Sequence, residues 1–340
     1  MKIALVSLDA SPLTADVDSR GLRVAELAAA LSRQRHEVNV YAGHSDPALP
    51  EQATANGYAV THLPSNPAEF VDELVAQWQW GKPDVVHSLS SSSSLVSSLS
   101  ARQAEVTVVQ TAHESGEQLT SDEYALYRSA GGVIATTGRK AAALISAGVR
   151  RSRICVVPPG VDTELFQPDG SDAPRVPPHR VAWLGEPLPG NGSGVADLIP
   201  DTEFATVGGS GPARSARSRA ALLRSADVAV CTGLSAEQES LTLEAMSCGV
   251  PVVEFLPGGP SDMMVHGITG LHVRQGDVLR LIRTLRALLA APTQRELLGI
   301  LARDRVCVRY SWDRIATDVI HSYDEALGSH LVPQTGGRTR

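Results

Sequence analysis

Short apolar segments alternate with amphipathic helical segments along most of this chain, and that alternation constrains its fold more than any other feature. The first segment, KIALVSL at 2–8, is almost continuously apolar, as expected for a strand in a parallel sheet that is covered on both faces. The segment at 21–35 then repeats apolar residues at helical spacing. Strands that alternate with helices in this way predict a parallel, doubly wound α/β sheet.

One stretch interrupts the alternation. Residues 166–178 are rich in Pro, Asp and Gly, which favours a linker, and the alternation of strands and helices restarts after them. The sequence therefore predicts an N-terminal domain at 1–165 and a second domain at 179–309. A final helix is predicted at 310–327, followed by a loose tail at 328–340.

The individual elements are predicted from apolar runs and from helical periodicity. The predicted strands lie at 2–8, 37–43, 84–89, 106–113, 131–137, 153–158, 180–185, 204–209, 227–232 and 250–256. The predicted helices before the final one lie at 21–35, 66–80, 214–225, 241–248, 277–290 and 293–308. The five serines at 90–94 are read as a low-complexity run.

Composition and charge exclude several classes of protein. A chain of 340 residues with 43% hydrophobic residues is long enough and apolar enough for two packed domains. Its net charge of -7 argues against a nucleic-acid partner, and its apolar runs are shorter than the ~20 residues of a transmembrane helix. The N-terminus has no cleavage-site pattern. Cys155, Cys231, Cys248 and Cys307 have no CxxC spacing, so we expect reduced core cysteines and a cytoplasmic location.

Several motifs resemble the family 4 glycosyltransferases. They are LLRSADVAVCTGLSAEQESLTLEAMSCGVPVVEFLPGGPSDMMVHGITGLHV at 222–273, ATTGRKAAALISAGVRRSRICVVPPGVDTELFQPDG at 135–170, the opening MKIALVSLDASPL, HEVNVYAG at 36–43 and YSWDRIA at 310–316. These enzymes are retaining, have the GT-B fold and use nucleotide-sugar donors. The resemblance implies two Rossmann-like doubly wound domains that face a cleft, with the final helix crossing back to the first domain. It also implies a nucleotide-sugar co-substrate and no metal or other cofactor.

In the first domain, the resemblance points to residues that follow the strands. His113, in the Thr111-x-His113 pattern after VTVVQ, would lie near the transferring sugar as the catalytic residue. A neutral imidazole suits that place because it can hydrogen-bond a hydroxyl, although the same histidine could simply cap the following loop. His87 matches a second family histidine, but Leu89 stands where the family has another. A buried histidine at the end of a strand is the alternative reading for His87.

The first loop departs from the family pattern. Family members have a glycine-rich loop whose following helix directs its N-terminus at the donor phosphates. Here the corresponding stretch, 14–24, keeps only Gly21, and Arg23 stands where the family often has a histidine. A phosphate-binding loop is one reading, and an ordinary loop with Arg23 on a solvated helix face is the other.

The charged positions of the donor half depart further. The family places an Arg and then a Lys on the donor diphosphate, whereas Glu186 and Asn191 occupy those positions here. The second Glu of the family signature maps to Glu244, which would hold the ribose hydroxyls unless it is only a carboxylate at a helix N-terminus. The first Glu maps to Ala236, and Glu237 lies one place late. The resemblance therefore implies a degenerate donor site.

Two glycine pairs match the family better. Gly208 and Gly209 resemble its glycine turn, and Gly258 and Gly259 resemble its Gly-Gly turn, so all four are candidate donor-binding residues. The arginines at 214–219 follow the first pair. They are consistent either with a relocated anion site or with a solvated basic helix.

Three functions remain open at this point. The first is a retaining glycosyltransferase that acts on a nucleotide-sugar donor and an unknown acceptor. The second is a catalytically inactive GT-B relative that binds a sugar, a nucleotide or a partner protein; Glu186, Asn191 and Ala236 favour it. The third, a sugar-nucleotide epimerase of the same architecture, has less support because 222–273 resembles the transferases specifically.

Overall fold

A computed structural model describes residues 1–13, 19–44, 48–112, 120–175, 178–186, 188, 193–209, 215–233, 235–256 and 262–328. The chain divides into two units. Unit 1 comprises Met1–Pro158 and Trp312–Arg340, and unit 2 comprises Pro159–Ser311. Each unit is built on its own sheet. The prediction of an α/β fold with two Rossmann-like units is confirmed.

Helices follow most of the strands in both units. The strands are β1 (Lys2–Ser7), β2 (Glu37–His44), β3 (Gln52–Ala55), β4 (Tyr58–Pro64), β5 (Val85–Ser88), β6 (Thr107–Ala112), β7 (Gly132–Ala135), β8 (Ile154–Val156), β9 (His179–Leu184), β10 (Thr202–Val207), β11 (Val228–Cys231), β12 (Val252–Leu256) and β13 (Leu271–Arg274). The helices are α1 (Ser19–Arg33), α2 (Pro67–Trp80), α3 (Ser91–Ala104), α4 (Ser121–Ser129), α5 (Gly138–Ser146), α6 (Ser193–Ala196), α7 (Ala216–Arg224), α8 (Ala236–Ser247), α9 (Val278–Leu289), α10 (Pro292–Arg309) and α11 (Trp312–Gly328).

Unit 1 holds an eight-stranded sheet in the order β3-β4-β2-β1-β5-β6-β7-β8, in which only the pairing of β3 with β4 is antiparallel. Successive side chains of β1 point to opposite faces. Ile3 and Leu5 pack in the core that contains α1 and α11, whereas Ala4 and Val6 pack in the core that contains α2. Helices on both faces explain why β1 is apolar from Ile3 to Val6.

The final helix belongs to unit 1, as predicted. Trp312, Ile315, Val319 and Tyr323 recur at helical spacing on α11, and all four are buried in the core beside α1. At the edge of this contact, Arg33 of α1 donates a hydrogen bond to Asp313. The apolar face of α11 therefore determines where the end of the described chain packs.

Unit 2 holds a five-stranded parallel sheet in the order β10-β9-β11-β12-β13. The chain leaves β9 for β10 on one side and returns to the other side of β9 as β11. The order of the strands thus reverses between β9 and β11. In open α/β sheets, ligands bind outside the carboxyl ends of the strands at such a reversal.

The boundary between the two units lies earlier in the chain than predicted. Unit 1 ends at Pro158, and the segment read as the end of the N-terminal domain packs on unit 2. Val161 N–H donates to Tyr310 O at 2.9 Å, and Phe166 is buried in the core of unit 2. Within the stretch read as a linker, Ala173 N–H donates to Ala221 O at 2.9 Å. The Pro-rich composition marked an irregular segment correctly, but that segment lies against unit 2.

Several elements of unit 1 have no predicted bounds: the strands β3 and β4, which form a hairpin, and the helices α3, α4 and α5. Asn56 and Gly57 have φ of 47° and 87°, as a tight hairpin turn between β3 and β4 requires. The serine run forms the start of α3, where Ser90 caps the helix and Ser94 Oγ donates to Ser90 O at 3.1 Å. A serine hydroxyl that donates to a backbone oxygen of the preceding turn has a hydrogen-bond partner, so serines can be accommodated inside a helix.

Among the residues that the structure describes, no helix combines the length and the apolar character needed to cross a membrane. All four cysteines are free thiols. Cys231 and Cys248 are buried, as expected for core residues, but Cys307 is exposed and Cys155 is half-buried. The expectation that all four lie in the core is therefore wrong for these last two.

Candidate functional site

The carboxyl ends of β9, β10 and β11 bring three loop starts together at one edge of the sheet in unit 2. β9 is followed by Gly185 and Glu186, and β10 is followed by Gly208 and Gly209. The hydroxyl of Thr232, just after β11, donates to the backbone oxygen of Glu186 at 2.9 Å. This edge contains the strand-order reversal and is the candidate binding edge of unit 2.

The turn at Gly208 and Gly209 requires glycine at both positions. Their φ values are +78° and +54°. A Cβ on Gly208 would lie 2.6 Å from Leu241 Cδ1, and a Cβ on Gly209 would lie 2.9 Å from Glu186 Oε1. Both residues are candidates from the sequence, and they lie directly after β10, at the carboxyl edge of the sheet.

Two carboxylates lie beside this glycine turn. Gly209 N–H donates to Glu237 Oε1 at 2.9 Å. The carboxylate of Glu186, in the loop that follows β9, lies next to Gly209. Both glutamates are exposed. A backbone N–H that could serve an anionic ligand is therefore already bonded to a carboxylate of the protein itself.

A buried ion pair connects α7 with α8. Arg219 Nε donates to Glu244 Oε2 at 2.8 Å, and Arg219 Nη2 donates to Glu244 Oε1 at 2.7 Å. The side chains are only 13% and 8% exposed. Burial raises the pKa of Glu244, while the hydrogen bonds and the charge of Arg219 act in the opposite direction. The Arg219 guanidinium also lies 5.9 Å from the ring centroid of Phe166.

The position of Glu244 corrects one alternative from the sequence. α8 begins at Ala236, earlier than predicted, because Ser235 and Gln238 form a capping box at its N-terminus. Glu244 consequently lies two turns into the helix and is paired with Arg219. The reading of Glu244 as a helix N-terminal carboxylate is wrong. Glu237, by contrast, does lie in the first turn.

The reading of 214–219 as a solvated basic helix holds for Arg217 but not for Arg219. Arg217 is exposed on α7, whereas Arg219 is largely buried and bonded to Glu244. Arg219 is the site residue that the sequence did not single out by itself. It lies four residues before Leu223, which is buried in the apolar face of α7, and that i, i+4 spacing is a signal for a partly buried side chain.

In unit 1, His87 is a buried side chain at the carboxyl end of β5, with 1% of its surface exposed. Its Nδ1 lies 2.7 Å from Tyr323 Oη, and its Nε2 lies 2.6 Å from Thr111 Oγ1. Two candidate residues, His87 and Thr111, are thus joined in one hydrogen-bonded chain with a tyrosine of α11. The structure assigns this histidine a packing role that ties α11 to the sheet.

The first loop is only partly described. α1 begins at Ser19, so Gly21 and Arg23 lie in the first turns of a helix. Gly21 is buried and Arg23 is half-buried. The reading of Gly21 as a loop glycine is therefore wrong, and the preceding residues 14–18 are outside the described part of the chain.

Four further candidates are not tested by this structure. His113, Asn191, Gly258 and Gly259 lie outside the described residues. Ala236 is the first residue of α8, but its side chain is also outside them. The structure thus brings together Glu186, Gly208, Gly209, Glu237 and Glu244 in unit 2, with Arg219 added.

Comparison with known proteins gives matches along nearly the whole chain. The profile of Glycosyltransferase Family 4 matches residues 21–165, and the profile of Glycosyl transferases group 1 matches residues 210–291. The chain is 27% identical to a D-inositol 3-phosphate glycosyltransferase of Pseudarthrobacter chlorophenolicus, and the alignment covers 98% of each chain. It is 25% identical to the enzyme of the same name from Mycolicibacterium paratuberculosis, over 98% of this chain and 92% of that one.

The solved structures that match share the fold. Sucrose-phosphate synthase from Thermosynechococcus elongatus matches with a TM-score of 0.80 at 21% identity, over 97% of this chain and 100% of that one. Anabaena HepE, solved with UDP and glucose, matches with a TM-score of 0.68 at 16% identity, over 95% of this chain and 99% of that one. The alignment with the Pseudarthrobacter relative extends over 411 residues, more than the 340 of this chain, so the relative has stretches that this chain lacks.

Proposed function

We propose that this chain, which matches the Glycosyltransferase Family 4 profile over residues 21–165, transfers a sugar from a nucleotide-sugar donor to an acceptor with retention of configuration. The observation that carries this proposal is the arrangement in unit 2. A glycine turn, Gly208 and Gly209, lies at the same sheet edge as the strand-order reversal, and the Arg219–Glu244 pair connects the two helices that follow β10 and β11. Such an edge is the ordinary ligand-binding place of an open α/β sheet.

In this proposal Glu244 holds the ribose of the donor. Each carboxylate oxygen has two lone pairs, so Glu244 can accept from ribose hydroxyls while both oxygens also accept from Arg219. Arg219 interacts electrostatically with Glu237, whose carboxylate accepts from Gly209 N–H, and in this proposal its positive charge takes over part of the role of the cations that Glu186 and Asn191 do not provide. A cation near the diphosphate stabilises the charge that develops on the leaving group.

The contact at Gly209 favours a second candidate, a relative that binds partners without transferring sugar. The Glu237 carboxylate occupies the Gly209 N–H, and Glu186 lies beside the same turn. Each contact between one of these carboxylates and a donor phosphate at ~5 Å would contribute about 3 kcal/mol of repulsion at an effective dielectric near 20. Solvent reduces that figure because both glutamates are exposed. Weak donor binding is the expected consequence.

The test measures donor binding and transfer separately. Calorimetry with UDP-, GDP- and ADP-sugars reports binding, and proton NMR of the product reports both transfer and the configuration at the anomeric carbon. D-inositol 3-phosphate is the first acceptor to try, because it appears in the name of the relatives. Transfer with retention supports the proposal. Donor binding without transfer to any tested acceptor supports the second candidate, and an inverted product would overturn the proposal of retention.

A designed variant sharpens the distinction. The triple change Glu186→Arg, Asn191→Lys and Ala236→Glu adds two cations and a sugar-binding carboxylate, so donor affinity should rise and the gain should shrink as salt increases. Glu296→Arg on α10 is the matched control because it adds a cation at an exposed position outside the candidate site. Tight donor binding by the unmodified chain would show that the donor site is not degenerate.

The proposal includes no metal and no cofactor other than the nucleotide sugar, as the family resemblance implies, and it assigns the reaction to the cytoplasm. The first part is tested by transfer in the presence of EDTA, which should leave the rate unchanged. Loss of activity with EDTA and recovery with a divalent cation would contradict it.

A further inference from the structure

Trp80 is the one tryptophan of the chain that lies on the surface. It ends α2 and is 94% exposed, whereas Trp78, Trp183 and Trp312 are 2%, 2% and 9% exposed. A tryptophan is usually buried over most of its surface, because its large apolar face gains from leaving water. The exposed indole of Trp80 therefore presents a flat apolar surface that is suited to a ligand.

A cavity of about 310 Å³ lies beside Trp80. It is lined by Trp80 and Gln77 of α2, by Gly81, and by residues at the starts of β1 and β2, including Lys2 and Asn39. These strands are parallel, so the cavity lies at the amino edge of the unit 1 sheet. His87 and Thr111 lie at the opposite edge, because they end β5 and β6. The cavity is thus separate from the candidate residues of this unit.

The lining of the cavity favours a neutral, hydroxyl-rich ligand. Asn39 and Gln77 carry amides that both donate and accept hydrogen bonds. Lys2 Nζ lies 4.0 Å from Glu37 Oε1, so the positive and the negative charge at the cavity balance each other. A phosphate or a carboxylate would need an excess of positive charge, which this lining does not offer.

We propose that this cavity binds a pyranose unit of a neutral oligosaccharide. One face of the sugar ring stacks on the Trp80 indole, and the hydroxyl groups bond to Asn39 and Gln77. The volume is within the range of sites for small ligands. Gln77 also lines a second cavity of about 490 Å³, so a longer saccharide can continue along α2 from the first cavity.

This binding site goes beyond the proposed transfer reaction and does not depend on it. The donor-site residues Glu244 and Arg219 belong to unit 2, whereas the cavity belongs to unit 1. A saccharide held by Trp80 would increase the local concentration of a polymeric ligand near the protein. Its binding can be measured without any nucleotide sugar.

The experiment uses the fluorescence of Trp80 in the full chain. The exposed indole should dominate quenching by iodide, because the other three tryptophans are buried. The probes are neutral pentasaccharides of α- and β-linked glucose, of mannose and of galactose, each titrated alone. We expect at least one of them to shift the emission to shorter wavelength and to protect Trp80 from iodide.

The variants separate stacking from folding. Trp80→Ala should weaken saccharide binding by about tenfold or more when measured by calorimetry, and Trp80→Phe should keep part of the affinity because a ring remains. Leu297→Ala is the matched control, because Leu297 is an exposed apolar residue of unit 2 and is 57% exposed. It should bind as the unmodified chain does. Transfer to a short acceptor should be unchanged in Trp80→Ala.

Three results would overturn the proposal. The first is that none of the pentasaccharides alters the Trp80 emission at millimolar concentration. The second is that Trp80→Ala binds them as tightly as the unmodified chain. The third is that iodide quenching of Trp80 decreases as the protein concentration is raised without any saccharide. That result would assign the surface to a contact between two copies of the chain.

Discussion

Arg219 donates hydrogen bonds to both carboxylate oxygens of Glu244, at 2.8 and 2.7 Å. The first residue lies on α7 and the second on α8, so the pair fixes two helices that flank the sheet of unit 2. Both side chains are largely buried. Removal of one partner from such a pair leaves the other charge in a poorly solvated place.

Single changes in this pair should therefore destabilise unit 2. We expect Arg219→Gln and Glu244→Gln each to lower the free energy of unfolding by about 3–5 kcal/mol. The double variant should cost less than the two single losses added together, because no unpaired charge remains. Urea unfolding measures all three. Arg217→Gln, at an exposed position of the same helix, should stay within about 0.5 kcal/mol.

The pair also shows what the sequence could predict and what it could not. The position of Glu244 followed from the resemblance of the LEAMSCG motif to the family signature, and the two glycines of the turn followed from their resemblance to the family's glycine turn. The partner of Glu244 did not follow, because Arg219 is 25 residues away and the pairing depends on how α7 packs against α8. Periodicity identifies which face of one helix is apolar, but it does not identify the charged residue that a second helix presents.

The same contrast holds for the fold. The apolar face of α11 is regular, so its burial in unit 1 could be predicted. The hairpin at Asn56 and Gly57 had a local signal in the Asn-Gly pair, but β3 has only four residues, and the hairpin was missed. α3 was missed because serine has a weak helix propensity, and only the packing of Ser93 and Ser97 against the rest of unit 1 reveals the helix.

Glu237→Gln should tighten the binding of UDP. The change removes a negative charge from the glycine turn and weakens the hydrogen bond that occupies Gly209 N–H. We expect a gain of about threefold to tenfold at low salt, modest because Glu237 is exposed, and a smaller gain at high salt. Calorimetry measures both, with Glu296→Gln on α10 as the control for a lost carboxylate elsewhere.

The use of UDP without a sugar also decides between two roles of Glu237. If Glu237 repels the diphosphate, the variant binds UDP more tightly. If it binds the donor sugar instead, UDP binding stays the same and only the affinity for the intact UDP-sugar falls. The second result would replace the repulsive role with a sugar-binding one.

Tyr323→Phe should weaken the attachment of α11 to unit 1. The Tyr323 hydroxyl lies 2.7 Å from His87 Nδ1, and both residues are buried, so the variant leaves a buried ring nitrogen without this partner. A loss of about 1–3 kcal/mol in the free energy of unfolding is expected. Tyr124→Phe on the half-buried face of α4 is the control and should change stability little. Equal stability of the two variants would mean that packing alone holds α11.

The four thiols should react with iodoacetamide in an order set by burial. Burial raises the pKa of Cys248 to about 12 and the pKa of Cys231 to about 11. Burial, together with the Glu325 carboxylate that accepts from its thiol, raises the pKa of Cys155 to about 11. Because the thiolate is the reactive form, a raised pKa slows alkylation at pH 8.

Cys307 is exposed and should react first, followed by the half-buried Cys155, and the two buried thiols should react only when unit 2 unfolds. Peptide mass spectrometry over time measures the order, and early labelling of Cys231 or Cys248 in the folded protein would contradict their burial.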